Sequence, residues 1–523
     1  MPNTLCRLAP MLGLLLTMPP ALAGAGQTPP DRLPASRAIA GELAPGDIAW
    51  LRRDGFGLDS ATLARYRQLG RVRFLDEQLA GDDRLPPAVA AQIRALPLLA
   101  TPLTELLADF RARQQQYKDT PAGPAKDAAK QALGQYRREL VQQAAQAELL
   151  HAIRGGNQLK EQLVWFWLNH FSVYAGKGPV RVFAADYEEN VIRPHALGKF
   201  RDLVMATLQS PAMLAFLDNA RNARDRTNEN YARELMELHT LGVGAGYSQA
   251  DVQQLMRVLT GAGLQLQPPR RLARRGRERL GVVRGGLFVF NPNRHDFGDK
   301  TFLGHTIEGR GYAEIGQAVD LIVRQPACAH FISQRLAEYF VADRPPPALV
   351  DAMADTFRRS DGDIAAVLRT MLLSTEAAAP DPRKFKDPMR FVVSSLRLAY
   401  DGQPVPNTAP LANWLQQMGE PLYGRVTPDG WPLDSASWTG SGQLGKRFDF
   451  AGVIGSGRNR LFAAEGGGAS PEPAGPPALR DSALYRDAIA PRLSEATRHA
   501  LAQAKSPAEW NTFLLSSPDF NYR

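Results

Sequence analysis

The 523-residue chain has little cysteine, only two residues, and few long apolar segments. Two cysteines exclude a scaffold held by several disulfides and a zinc site built from cysteine thiolates. Beyond the N-terminus no apolar stretch is long enough to span a bilayer, which excludes a polytopic membrane protein. The 45 glycines and 40 prolines follow no period, which excludes a collagen-like chain. What remains, 44% hydrophobic and 22% charged residues, is an ordinary globular composition.

The first 23 residues have the pattern of a secretory signal peptide. Arg7 makes the start of the chain basic, an apolar run of about 11 residues covers positions 8–18, and Ala21-Leu22-Ala23 is a small-residue cleavage site. The run is too short to anchor the chain in a membrane. We therefore expect a protein exported to the periplasm or the extracellular space, cleaved near Ala23 and left without a transmembrane anchor.

The mature chain is predicted to be mainly α. Apolar residues recur at helical spacing in most segments, and no strands alternate with the helices, so doubly wound and barrel folds are excluded. Residues 281–290 predict a hairpin with a Gly-Gly turn, and residues 300–303 a further short strand. We expect a large multi-helix body with one small antiparallel β hairpin or three-stranded sheet. Composition divides the chain into a signal peptide (1–23), a flexible linker (24–45), a main helical domain (46–465), a Gly/Pro linker (466–479) and a C-terminal helical segment packed on the main domain (480–523).

The net charge of +9 is concentrated in one segment. Between Arg270 and Arg284 there are seven arginines and one glutamate, Glu278. Two interpretations are open: a docking patch for an anionic surface such as lipid headgroups or cell-wall polymer, and a solvated loop between structured pieces. No aromatic residue alternates with these arginines, so stacking on single-stranded nucleic acid is not indicated, and we expect no nucleic-acid partner.

The segment 228–242 carries the most distinctive pair of carboxylates. At helical spacing Asn230, Glu234 and Glu237 share one face, with Arg233 at its edge. Two carboxylates side by side can shift each other's pKa or share a cation. They therefore suggest an acid/base pair or part of an oxygen-rich metal site, with an internal ion network as the alternative.

Two other segments carry polar groups that need partners. Asn169 and His170 lie in an aromatic run that predicts a buried helix face. His295 and Asp296 are adjacent in a predicted loop. They are either metal ligands or a catalytic pair, or they form a turn in which the histidine is structural. We expect these segments and the 228–242 helix to meet around a shared polar cleft. The candidates are Glu234, Glu237, His295 and Asp296 for catalysis, and Asn169, His170, Asn230, Arg233 and Arg193 for binding; the sequence identifies no metal or cofactor.

Several motifs in a fixed order resemble one large bacterial family, named domain of unknown function 1800. They extend over residues 46 to 523 and include Leu51-Arg-Arg-Asp-Gly-Phe-Gly57, Phe166-Trp-Leu-Asn-His-Phe171, Val191-Ile-Arg-Pro-His-Ala-Leu-Gly198, Asn228-Glu-Asn-Tyr-Ala-Arg-Glu-Leu235, His295-Asp-Phe-Gly-Asp-Lys300, Lys386-Asp-Pro388 and Gly430-Trp-Pro432. The resemblance implies an exported, mainly helical bacterial protein and brings no established activity. Its members are often encoded beside another exported family, domain of unknown function 1501, which looks sulfatase-like. A partner of that kind is implied by association only.

Two functions follow as hypotheses. The first is an envelope-associated scaffold or binding protein without catalytic activity, since no known catalytic signature is present. The alternative is a hydrolase of an envelope or extracellular polymer that uses the glutamate, histidine and aspartate candidates, with or without a metal. The position of these side chains relative to one cleft distinguishes the two.

Overall fold

The computed structural model describes residues 43–44, 46–265, 281–379, 384–462 and 475–523. The predicted signal peptide, nearly all of the first linker and most of the arginine-rich segment lie outside these residues. So does most of the predicted linker 466–479. Among the described residues no helix has the length and the apolar character needed to cross a bilayer.

Helices make up most of the described chain, which confirms the predicted mainly α class. The α-helices are Asp47–Asp54, Ser60–Leu79, Pro87–Arg94, Pro97–Ala100, Leu103–Asp119, Pro124–Arg154, Gln158–His170, Val180–Asp186, Phe200–Gln209, Pro211–Phe216, Asn230–Glu234, Gln249–Val258, Ala313–Val323, Pro326–Phe340, Pro347–Arg359, Ile364–Leu372, Thr375–Ala378, Pro388–Tyr400, Ala409–Gln417, Ser441–Ser456, Glu495–Ala502, Pro507–Ser516 and Pro518–Asn521. Short 3-10 helices occupy Arg193–His195, Asn219–Arg221, Pro292–Arg294, Ala436–Trp438 and Ala490–Arg492.

Within the described residues three segments form π-helices, namely Tyr187–Ile192, Leu235–Thr240 and Tyr485–Ile489. The first continues the Val180–Asp186 helix and the second continues Asn230–Glu234. Helical spacing in the sequence predicted one α-helix over 228–241, and the wider π turn in its second half was not foreseen. Wide turns of this kind are rare and often mark functional sites.

Five short strands form two small antiparallel sheets in the described residues. β2 (Val283–Gly285) and β3 (Phe288–Phe290) make the predicted hairpin, and β1 (Ala262–Leu264) pairs with the other edge of β3. β4 (Lys300–Phe302) pairs with β5 (His305–Ile307) in a sheet of its own. The predicted third strand at 300–303 therefore exists but belongs to the second sheet. It pairs locally because a tight turn at Leu303 and Gly304, both with positive φ, returns the chain immediately.

Local sequence explains where many of these helices begin. Ser248 and Asp251 form a capping box at the start of Gln249–Val258, as their spacing suggests. The side chain of Asn157 caps Gln158–His170 by accepting from the Lys160 N–H. These caps satisfy backbone donors that a helix end leaves free, and so they fix where the aromatic helix starts.

The described residues form one large hydrophobic core and a small second cluster at Val89, Ile93, Leu96, Ala147 and Leu150. Trp50, Trp167, Phe183, Phe200 and Leu336 are at the centre of the large core and are fully buried. Near the chain end, the Pro507–Ser516 helix packs against Ser441–Ser456, and the Arg447 guanidinium contacts the Asn521 side chain. The core therefore gathers helices from the whole described sequence around Gln158–His170, the helix whose last residues reach the site described below.

Candidate functional site

An open cavity of about 590 Å³ lies where the end of the aromatic helix meets the second π-helix. This volume is within the range of small-ligand sites. We call it the Trp431 cavity, after the aromatic residue in its wall. It is lined by His170, Glu237, Leu238, Val243, Phe331, Arg335, Glu338, Asp343, Lys384, Asp429, Gly430, Trp431, Pro432, Leu433 and Asp434.

Asn169 holds one wall of the cavity in place. Its Nδ2 donates to the Trp431 carbonyl at 2.9 Å, and its Oδ1 accepts from the Trp431 N–H at 2.6 Å. The side-chain amide thus pairs with the backbone as a neighbouring β-strand would. Gly430 has φ of 74°, and a Cβ there would lie 2.2 Å from the Asn169 carbonyl oxygen, so only glycine permits this approach.

Trp431 is also fixed from the solvent side. The Arg425 guanidinium lies over its ring at 5.4 Å from the centroid and forms an ion pair with Asp429 at 2.6 Å. Cation–π contacts of this kind stabilise an aromatic ring on a surface loop. Asn169 therefore fixes the backbone of Trp431 at the cavity, and Arg425 packs against its ring.

His170 presents a hydrogen-bond acceptor at the cavity. Its Nε2 lies 2.9 Å from the His239 carbonyl. Since a carbonyl only accepts, Nε2 carries the proton and Nδ1 keeps the lone pair. Burial, reinforced by the nearby His239 ring, lowers the pKa of His170 well below its usual range, and burial lowers the pKa of His239 to about 4. Both rings are therefore neutral at neutral pH.

Glu237, on the second π-helix, is the predicted carboxylate that reaches the cavity. Arg233 bridges Glu237 at 3.1 Å and Glu229 at 2.9 Å. Glu234 does not line the cavity, because the wide π turn that follows changes which side chains share a face. Burial, and then the negative charge of Glu237, raise the pKa of Glu234. The charge of Glu237 therefore acts on Glu234, although only Glu237 lines the cavity.

The floor of the cavity contains two further ion pairs. Lys384 donates to Asp343 and to the Leu433 carbonyl, both at 2.6 Å. Burial, with a contribution from the positive charge of Arg523, lowers the pKa of Lys384 to about 8. On the Pro326–Phe340 helix, Arg335 pairs with Glu338 at 3.2 Å. Sequence inspection missed these residues because they come from separate segments and belong to no local pattern.

His295 belongs to a different, closed cluster. Its Nε2 lies 2.9 Å from a carboxylate oxygen of Glu314, and its Nδ1 lies 2.8 Å from the Thr260 carbonyl. Lys300 forms an ion pair with the other oxygen of Glu314. The side chains of His295, Lys300 and Glu314 are completely shielded from solvent. They join the loop after β3 to β4 and to the Ala313–Val323 helix.

Asp296 is held beside this cluster by Arg257. The guanidinium donates to both carboxylate oxygens, at 2.7 and 3.1 Å. This hydrogen bonding lowers the pKa of Asp296 to about 2, and the carboxylate also accepts from the Gly298 N–H at 2.9 Å. Neither His295 nor Asp296 lines the Trp431 cavity.

Arg193 is the centre of a third, buried cluster of charges. It donates to both oxygens of Glu161, at 3.0 and 2.9 Å, and to Glu188 at 3.1 Å. Glu148 and Glu189 lie within 4 Å of the same guanidinium. Burial, and then the charge of Glu188, raise the pKa of Glu148 well above its usual range. Arg193 therefore pairs with carboxylates from three helices and is not a counter-charge for Glu234 or Glu237.

Asn230 lies at the exposed start of its helix and donates to the Leu217 carbonyl at 3.3 Å. Of the nine predicted site residues, the structure brings His170 and Glu237 together at the cavity, with Asn169 and Arg233 supporting them. Glu234 lies near Glu237 and Asp429 without lining the cavity, and the other four, His295, Asp296, Arg193 and Asn230, do not line it either. No group of three or more metal-ligating side chains in the described residues is positioned to hold an ion.

Comparison with known proteins gives a family and no closer relative. No curated protein and no solved structure matches the chain. One family model, described as a protein of unknown function (DUF1800), matches residues 49–522, which confirms the resemblance drawn from the motifs. Because that match extends over nearly the whole chain, the protein belongs to the DUF1800 family.

Proposed function

We propose that the protein is an exported, envelope-associated binding protein, and that the Trp431 cavity holds a hydroxyl-rich segment of an envelope or extracellular polymer. The observation that carries the proposal is the fixed indole of Trp431 beside a rim of carboxylates. The apolar face of a sugar ring packs on an indole, while its hydroxyl groups donate to the carboxylates and to the free Nδ1 of His170.

The charges around the cavity support a neutral, polar ligand. Five carboxylates and two basic side chains line it, and most of the carboxylates are paired with lysine or arginine. A carboxylate that pairs with lysine or arginine still has lone pairs that can accept hydrogen bonds from a ligand. The pairing also reduces the net charge of the cavity. The polar groups are therefore arranged to accept hydrogen bonds from hydroxyl groups rather than to neutralise an ion.

Export is supported by the sequence pattern of residues 1–23 alone. It is tested by expressing the full chain in a Gram-negative host and sequencing the N-terminus of the fractionated product. A periplasmic or secreted product that begins at Gly24 agrees with export. An unprocessed product confined to the cytoplasm refutes it. The sulfatase-like partner stays a prediction, which co-purification from the same fraction would test.

Binding is tested by titrating the purified protein with soluble oligosaccharides prepared from envelope polymers, using isothermal titration calorimetry. We expect Trp431→Ala to weaken binding about ten-fold or more, the usual loss for an aromatic contact at the centre of a site. The matched control is Phe448→Ala. Phe448 is an aromatic residue that is 53% exposed and does not line the cavity. Equal affinities for the wild type and Trp431→Ala would refute the proposed site.

The same samples test the hydrolase alternative. Oligosaccharide length is followed by mass spectrometry during a long incubation with the wild type and with Glu237→Gln. The binding proposal expects no cleavage by either protein. Cleavage by the wild type that disappears in Glu237→Gln would replace it with the enzyme hypothesis.

A further inference from the structure

A second cavity, of about 490 Å³, lies on a different part of the described fold and shares no lining residue with the Trp431 cavity. We call it the Lys386 cavity. Most of its wall is apolar, from Leu43, Ile48, Ala49, Leu58, Leu398, Ala488, Ile489, Pro491, Leu493, Leu514 and Phe520. Its polar lining consists of Arg52, Lys386, Ser394, Arg492, Asp519 and Arg523.

Lys386 is the unusual group in this cavity. Its side chain is almost fully buried, and its Nζ donates to Ser394 Oγ at 2.9 Å and lies 3.6 Å from the centroid of the Phe520 ring. Among the described residues no carboxylate lies within ion-pair distance of this nitrogen. Lys384, two residues earlier, has such a partner in Asp343. A buried cation without a counter-charge is unfavourable unless something else supplies one.

The neighbouring charges increase this imbalance. Arg52 and Arg523 point their guanidinium groups at backbone carbonyls rather than at carboxylates. Arg447 donates to the carbonyl of Lys386 itself at 2.6 Å. Burial, and then the positive charges of these arginines, lower the pKa of Lys386 well below its usual range, so its charged form is disfavoured until an anion lies beside it. The lining contains a single carboxylate, Asp519, which Ser494 already engages through its N–H and its hydroxyl.

The cavity therefore combines a mostly apolar wall with basic side chains, Arg52 and Arg523, gathered near Lys386. From this combination we propose that the Lys386 cavity binds a single-chain anionic amphiphile, with its anionic head at Lys386 and Arg52 and its alkyl chain along the leucine-rich wall. An anionic head at Lys386 supplies the missing counter-charge. The alkyl chain of the ligand and the apolar wall of the cavity bury each other's surface. A neutral or cationic amphiphile leaves the charge imbalance in place.

The test is calorimetric titration of the full-length protein with straight-chain carboxylates of 8 to 14 carbons, below their micelle concentrations. Each added methylene should tighten binding about three- to four-fold until the cavity is full. Dodecyl phosphate should bind like dodecanoate if any anionic head suffices, and more weakly if the site selects a carboxylate. Dodecanol and dodecyltrimethylammonium should bind at least ten-fold more weakly than dodecanoate.

Two variants separate the head from the chain. Lys386→Met keeps an apolar side chain of similar length and should lower the affinity for dodecanoate about thirty-fold, as expected for a lost charge-assisted hydrogen bond. Lys446→Met, which removes a lysine whose side chain is 44% exposed and does not line the cavity, is the matched control. Leu493→Trp fills part of the wall and should abolish the gain in affinity for the longer chains while octanoate still binds.

Two results would overturn the proposal. One is equal binding of dodecanol and dodecanoate by the wild type, which needs no variant and so does not depend on how a variant folds. The other is unchanged affinity of a Lys386→Met protein whose circular dichroism spectrum is that of the wild type. A flat dependence on chain length would also exclude the leucine-rich wall as the site of the alkyl chain.

Discussion

Replacing Arg193 with methionine tests whether the buried ion cluster holds three helices together. The substitution removes the cation that faces Glu161, Glu188, Glu148 and Glu189 and leaves an apolar side chain of similar length. Arg193 has a side chain 4% exposed, and Glu148, Glu161 and Glu188 are each at 1%. Breaking a buried ion pair typically costs about 3–5 kcal/mol, because the remaining charge is left without compensation. We expect a loss of about 4 kcal/mol in the free energy of unfolding.

The matched control is Arg201→Met. Arg201 forms an equally close pair with Asp320, at 2.6 Å, but its side chain is 40% exposed. Surface pairs contribute about 0–1 kcal/mol, so the control should lose less than about 1 kcal/mol. Urea unfolding followed by circular dichroism measures both variants under the same conditions. The difference between the two variants reports the combined effect of burial and of the larger number of carboxylates around Arg193.

The pH dependence gives an independent check. In Arg193→Met the buried glutamates lack their counter-charge, which should raise their folded-state pKa values above the unfolded value near 4.3. A raised carboxyl pKa stabilises the folded state below the unfolded pKa, and that stabilisation is lost as the pH rises through the folded pKa. The deficit of Arg193→Met should therefore grow between about pH 5 and pH 8. If Arg193→Met loses less than about 1 kcal/mol of unfolding free energy, or if its loss does not change with pH, the buried ion cluster does not hold the three helices together.

Three further substitutions test the walls of the Trp431 cavity by urea unfolding. Asn169→Ala should cost about 2–3 kcal/mol, because it removes both hydrogen bonds to Trp431; a loss under about 0.5 kcal/mol would mean that solvent replaces them. Gly430→Ala should be at least as damaging, since its Cβ would meet a carbonyl oxygen at 2.2 Å, and an unchanged midpoint would contradict that geometry. Asp343→Asn should cost about 3 kcal/mol at pH 7 by leaving Lys384 unpaired. That cost should shrink as the pH rises towards 8, because without Asp343 the lysine deprotonates below its wild-type pKa of about 8, and a deficit that grows with pH would show the opposite coupling.

The sequence by itself determined the class of the fold and its hairpin. Apolar spacing predicted the helices, and Ser248 and Asp251, three positions apart, form the capping box that begins one of them. These features depend on residues a few positions apart, so local backbone chemistry is enough to specify them. The motif order also identified the family, which the family model confirms over residues 49–522.

The division of the candidate residues among three clusters was decided by the tertiary structure. Helical spacing placed Glu234 and Glu237 on one face, but a π-helix begins at Leu235, and only Glu237 lines the cavity. Periodicity cannot reveal such a turn, because it assumes the spacing that the turn breaks.

Long-range packing also selected the partners of the buried charges. His295 meets Glu314, Arg193 meets four glutamates, and Lys386 meets no carboxylate in the described chain. Burial makes each such contact strong or costly, yet burial is a property of the assembled fold rather than of any short segment. The sequence therefore supplied the polar side chains, and the packing of the helices determined which of them face a cavity.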